Sequence, residues 1–160
     1  MERTVHSIPP VYNGQSSRLI LGSFPSVKSR EGEFFYHHPR NRFWVVISTI
    51  YGENTPDSIP KKIDFLLRNG IAVWDVIESC EIAGSSDSSI KNVVANDLTP
   101  ILQTATIQHI YTNGNTAYEY YQKYIYPSTN KMAIKLPSTS PANAGNSTEQ
   151  LIKIWSCIKD

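Results

Sequence analysis

The stretch most suited to chemistry runs from Ser23 to Asn41, with Arg42 just beyond it. It holds Lys28, Arg30 and Arg40 beside His37 and His38, against only Glu31 and Glu33, and Phe34, Phe35 and Tyr36 are interleaved with the cations. Positive charge next to flat rings suits phosphate contacts beside a stacking platform for a base. Three further segments, Asp75 to Asn92, Asn113 to Asn115 and Ser138 to Gly145, are rich in Ser, Asn, Gly and Pro. Such residues place backbone N–H groups, hydroxyls and amides around an anion or a flat polar ring, and they supply no strong nucleophile. There is no GxSxG elbow and no Ser-His-Asp set, which argues against a small-molecule serine hydrolase. The paired histidines lack a third partner at ligand spacing, and Cys80 and Cys157 form no CxxC, so neither a metal nor a disulfide framework is indicated. No cofactor is expected.

The elements that must position these segments alternate between strand and helix. The run Leu19-Ile20-Leu21-Gly22 is short and continuously apolar, as a strand buried on both faces requires. Ile71 to Val76, Ile107 to Tyr111 and Met132 to Leu136 give three more. A long loop runs from the first strand through Tyr36. Phe43, Val46, Ile47 and Ile50 then repeat at helical spacing after Asn41, which can cap that helix. Ser58 to Asn69 reads as a helix with Pro60 in its first turn and Gly70 as its stop. The polar segment Glu78 to Asn92, with its GSSDSS string, reads as a surface loop. Further helices are predicted from about Asp97 to Thr104 and after Asn113-Gly-Asn, the latter bearing Tyr118, Tyr121 and Ile125. Ser147 and Gln150 have capping-box spacing before a last helix striped by Leu151, Ile154, Trp155 and Ile158. The expectation is one three-layer α/β/α domain over residues 18–160, with a central four-stranded parallel sheet and right-handed crossovers. Residues 1–17 are expected as an irregular arm. In such sheets ligands collect beyond the carboxyl ends of the strands, where the four polar segments fall.

The chain has 160 residues, enough for one core and too few for two. Its 15 Lys+Arg against 14 Asp+Glu leave a formal charge of +1, so nucleic acid must be met by a local patch and not by the overall field. With 18% charged and 40% hydrophobic residues the chain is not a disordered tail. No signal h-region or membrane-length apolar run is present, so a cytoplasmic protein with no membrane partner is expected.

Two strings carry a resemblance. Leu-Ile-Leu-Gly-Ser-Phe-Pro-Ser (19–26), taken with Phe-Phe-Tyr-His-His-Pro-Arg-Asn-Arg-Phe-Trp (34–44), resembles the first motif region of the uracil-DNA glycosylase superfamily. The nearest branch is the hypoxanthine (deoxyinosine) DNA glycosylases, with the mismatch-specific uracil/thymine enzymes more distant. Leu-Pro-Ser-Thr-Ser-Pro-Ala-Asn-Ala (136–144) falls where that superfamily keeps its second motif. The resemblance implies that Asn41 is catalytic and that Tyr36 stacks on an extruded base. It also implies a base pocket from Gly22, Ser23, Phe24, Tyr36, Asp75 and Asn113. The implied DNA contacts are Ser26, Lys28, Arg40, Ser138, Thr139, Ser140, Pro141 and Asn143, with Pro141, Ala142 and Asn143 filling the space a flipped base leaves.

Two positions depart from the pattern. Phe24 stands where mismatch glycosylases carry a water-activating asparagine, which argues against robust uracil excision, and His37 stands where a small residue is usual. Asp75 sits where some branches read the base edge with asparagine; a carboxylate only accepts, so it suits N1–H of hypoxanthine and repels N1 of adenine. The implied activity is hydrolysis of the N-glycosidic bond of a deaminated nucleotide in damaged double-stranded DNA by a monomeric enzyme, with no lyase step. The alternatives are a uracil/thymine mismatch glycosylase and a non-catalytic nucleotide or single-strand binding module. Plainer roles also exist: Asn41 as an N-cap, Tyr36 as core, Asp75 as a turn cap, Ser138-Thr-Ser as a turn, and Ser85 to Ser89 as solvated loop.

Overall fold

The computed structural model describes residues 2–160. The chain begins with β1 (Arg3–Val5), β2 (Arg18–Gly22) and two helices, α1 (Val27–Gly32) and α2 (Phe43–Ile50). Next come α3 (Ile59–Arg68), β3 (Ile71–Asp75), β4 (Ile77–Glu81), β5 (Lys91–Ala95) and α4 (Thr99–Thr104). The order closes with β6 (His109–Asn113), α5 (Asn115–Tyr120), α6 (Tyr126–Thr129), β7 (Ala133–Leu136) and α7 (Thr148–Trp155).

Four strands form the expected parallel sheet, in the order β3-β2-β6-β7. The central strand shows why its sequence is continuously apolar. Leu19 and Leu21 point into one layer with Val76, Ile101, Ile110 and Tyr121, while Ile20 points into the other with Val46, Ile47, Leu66, Leu151 and Trp155. All three β2 side chains are fully buried, each contributing about 1.5–3 kcal/mol of burial. One face is thus covered by α2, α3 and α7, the other by α4 and the helical stretch from α5 to α6. The caps at Ser58 and Ser147 form as their spacing requires, the second as a full capping box with Gln150.

Three expectations need correction. The arm is not irregular throughout, and the expected 78–92 loop is confined to 82–90 because its two ends are strands; β1, β4 and β5 make a second, antiparallel sheet in the order β1-β4-β5. Polar residues hide this hairpin because most of it has one wet side, and buried Ser79 is satisfied by Arg3 Nη1 at 2.9 Å. The arm also buries Ile8 and Val11, and Val11 pairs through both backbone groups with Val73, covering the exposed edge of β3. Met1 lies outside the described residues. The loop expected between Gly22 and Tyr36 contains α1, capped by Ser26. Among the described residues no helix is long and apolar enough to cross a membrane.

Candidate active site

The carboxyl ends of all four parallel strands open into one cavity of about 530 Å³. Gly22 and Ser23 leave β2 there, Asp75 ends β3, Asn113 ends β6, and Ser138 to Ala142 follow β7. Phe24, Pro25, Ser26, Tyr36, His38 and Asn41 close a second side. Ser85, Ser86, Asp87 and Ser88 form a third wall. That wall is exposed, as the solvated-loop expectation has it, and is held at the cavity because Arg30 Nη2 donates to the Gly84 carbonyl at 2.7 Å and Val27 N–H to Ser85 Oγ at 2.9 Å. Ser23 donates to Asp87 Oδ1, and desolvation, with the Asp75 charge adding to it, raises the Asp87 carboxyl above its ordinary value.

Asn41 holds two roles at once. It precedes α2 by two positions and its Oδ1 accepts the Phe43 N–H at 2.9 Å, so the plain capping function is real. The same oxygen accepts the Thr139 hydroxyl at 2.8 Å. Thr139 is itself held by Asn113, whose Nδ2 donates to Oγ1 and whose Oδ1 accepts the Thr139 N–H, both at 3.0 Å. These donors settle the amide orientation: the carbonyl is occupied, and the Nδ2 hydrogens are the groups left to the cavity. Thr139, expected at a DNA phosphate, is fully buried and cannot reach one. Its hydroxyl spends its proton on Asn41.

Phe35 and Tyr36 both line the cavity, and Tyr36 is the half-buried ring of the 34–36 string, presenting its hydroxyl end there and not a free stacking face. Phe34 and Phe35 are buried in the core, Phe34 stacked on Trp44. Tyr36 sits at φ 52°, a left-handed conformation costly for a tyrosine, and stacks on Phe43 with centroids 4.1 Å apart. Its hydroxyl is buried without a hydrogen-bond partner. Burial, and secondarily the Asp75 charge, drive the phenol well above its ordinary value, so it remains a proton donor. A side chain on Gly22 would collide with Asp75 Oδ1 and come within 3.0 Å of the Tyr36 hydroxyl. Only glycine permits these two polar atoms to crowd the same patch of cavity floor.

Asp75 is 3% exposed, and its Oδ2 meets His6 Nε2 at 2.7 Å. His6, from the arm, escaped the sequence reading because nothing local marks it.

The remaining expected residues divide. Ser138 and Ser140 line the cavity but accept the Ser140 and Ala142 N–H groups, and the Asn143 amide donates to Ser138 O and Asn146 Oδ1, so this loop braces itself. Arg42 clamps it further through the carbonyls of Asn143 and Asn146 at 2.9 and 2.6 Å. Pro141 is exposed and lines the cavity, whereas Lys28 and Arg40 are exposed and lie outside the cavity lining. Among the described residues no three His, Cys, Asp or Glu side chains gather as a metal site.

A parallel α/β sheet with a hydroxyl- and amide-lined cavity at its carboxyl edge has room and polar groups for a flat polar ring. The comparisons place it more closely. Residues 9–159 match the uracil DNA glycosylase superfamily. A relative from Methanosarcina acetivorans named hypoxanthine DNA glycosylase is 34% identical over 140 residues, covering 84% of this chain and 85% of its own. One of the same name from Methanosarcina barkeri is 32% identical over 114 residues, covering 70% and 72%. A solution NMR structure from Methanosarcina acetivorans, assigned provisionally as a uracil DNA glycosylase, superposes with a TM-score of 0.78 at 29% identity over 96% of this chain and 97% of that one. The chain belongs to the uracil DNA glycosylase superfamily.

Proposed function

We propose that this protein is a monofunctional DNA glycosylase that extrudes a deaminated nucleotide from damaged duplex DNA and hydrolyses its N-glycosidic bond, with hypoxanthine as the preferred base. The observation that carries the choice of base is the orphaned Tyr36 hydroxyl beside Asp75 Oδ1. Together they offer one donor and one acceptor, the complement of the C6=O and N1–H edge of hypoxanthine. Adenine presents N1 as an acceptor and is refused by the Asp75 carboxylate. The relatives named hypoxanthine DNA glycosylase support the same base.

In this reading the C1′–N9 bond breaks with positive charge developing on the sugar, a water oxygen bonds to C1′, and the purine leaves with a proton. The Asn41 Nδ2 hydrogens, preorganised by Phe43 and Thr139, stabilise the electron density gathering on the leaving base. The cavity lining contains no lysine amine, which favours hydrolysis over a Schiff-base route. Arg40 and Lys28 approach phosphates, and Pro141 and Ala142 enter the vacated stack. The protein acts as a monomer in the cytoplasm, in keeping with two cysteines that remain free.

The test is a panel of duplexes carrying hypoxanthine, uracil, xanthine or oxanine opposite each normal base, scored for abasic sites. Hypoxanthine is expected to be released fastest. A protein that binds these duplexes but yields no abasic site from any of them is a binding module instead. The Thr139 relay adds a narrower expectation. Thr139→Val should slow hypoxanthine release by about tenfold, the worth of one hydrogen bond to a positioned group, while leaving DNA affinity unchanged. Thr139→Ser should restore it; single-turnover rates decide.

A further inference from the structure

Guanine carries the same C6=O and N1–H edge as hypoxanthine and differs by its 2-amino group, so a pocket reading that edge must separate a rare lesion from a normal base. A free carboxylate would favour the wrong one. Its two oxygens can accept N1–H and N2–H of guanine together, whereas hypoxanthine offers N1–H alone.

Here one of those oxygens is taken. His6 Nε2 lies 2.7 Å from Asp75 Oδ2, with side chains only 2% and 5% exposed. His6 Nδ1 accepts the Ile8 N–H at 3.2 Å, so the ring proton is on Nε2 and is given to Asp75. The ring packs among Phe24, Phe35 and Trp74, with centroids 6.0, 6.1 and 6.2 Å away. Trp74 also donates to the Ile8 carbonyl, and the Thr4 and Val5 backbone pairs with β4, so the arm is held at both ends of His6. His6 does not line the cavity. Asp75 Oδ1 is the oxygen turned to Gly22, and both residues line the cavity.

We propose that His6 is a specificity-determining residue that makes the pocket refuse guanine. By holding Oδ2 it turns that oxygen to the ring and leaves Oδ1 as the oxygen presented to N1–H of hypoxanthine, so that the guanine 2-amino group lacks the second carboxylate oxygen it would need for a paired contact. An unpaired buried donor of that kind costs on the order of tenfold to a hundredfold in affinity. The inference rests on the hypoxanthine reading above and supplies its discrimination against the commonest competitor.

The experiment uses the full chain carrying Asn41→Ala, so that binding is read without turnover. Dissociation constants are measured for one duplex containing a single I·T pair and for its G·T counterpart, two wobble pairs of like geometry. A preference for inosine of about tenfold or more is expected. Adding His6→Phe keeps an aromatic ring in the cage and removes the donor, and the preference should collapse to about threefold or less. His6→Asn, too short to reach Oδ2, should behave alike and serves if the phenylalanine variant fails to fold. His6→Gln, which restores an N–H donor, should recover most of the preference. General loosening would weaken both duplexes together and leave the ratio intact. An unchanged ratio in the donor-less variants, or no preference in the Asn41→Ala background, overturns the proposal. Failure of the glycosylase reading appears elsewhere, as an absence of abasic sites from the wild-type chain, and leaves this ratio readable.

Discussion

Asn41→Ala is expected to cut the single-turnover rate of hypoxanthine release by about a hundredfold or more, the usual loss when one preorganised donor is removed from a charge-developing site. The substitution also strands the Phe43 N–H and the Thr139 hydroxyl, which both donate to Asn41 Oδ1. A stability loss of about 1–2 kcal/mol should therefore accompany it, read as a lowered denaturation midpoint. Asn41→Asp separates the two effects. A carboxylate can accept both internal hydrogen bonds and is favoured at the start of α2, so stability should return. The donor is still missing, and negative charge on the departing purine would face another negative charge, so the rate should stay low. Full activity in Asn41→Asp would mean that an acceptor, such as one orienting water, does the work, and the assigned role of the amide hydrogens would be abandoned.

Asp75→Asn should be more damaging still. Either end of an amide could in principle face the cavity, but His6 Nε2 donates toward Oδ2 and selects the orientation. The amide oxygen turns to His6 and its two hydrogens turn to the base. Hypoxanthine N1–H then meets a donor in a dry pocket, and release should fall by about a thousandfold or more. Adenine, whose N1 accepts, should gain affinity over the parent protein. Binding of A·C and I·C duplexes, measured beside single-turnover rates, tests both halves. If the variant released hypoxanthine at the parental rate, Asp75 could not be the group that reads N1–H.

These expectations draw on residues of unequal visibility in the sequence. Asn41 and Tyr36 could be singled out because they fall in a string that resembles a family motif, and Asp75 and Asn113 because they fall at the ends of strands whose pattern is local. Apolar spacing of three to four residues and short continuous apolar runs are properties of a dozen neighbouring positions, so β2, β3, α2, α3 and α7 could be placed with their ends. The hairpin of β4 and β5 could not, since its strands show little alternation and one of its buried positions is a serine paired with Arg3, 76 positions away. Ser85 to Ser88 are exposed, as a solvated loop should be, and also line the cavity; a polar string looks the same in either place.

The amino-acid order alone determined the layered parallel fold and which polar segments would meet beyond its strand ends, because burial of an apolar face follows from short-range pattern. Tertiary structure alone decided what each polar atom does there. His6 and Asp75 are 69 positions apart, and Thr139 and Asn41 are 98 apart. No local rule couples such positions. Whether a hydroxyl reaches a phosphate or vanishes behind an amide, and whether a carboxylate offers two oxygens or one, depends on which distant group arrives to take its hydrogen bond. That arrival is settled by the packing of whole elements.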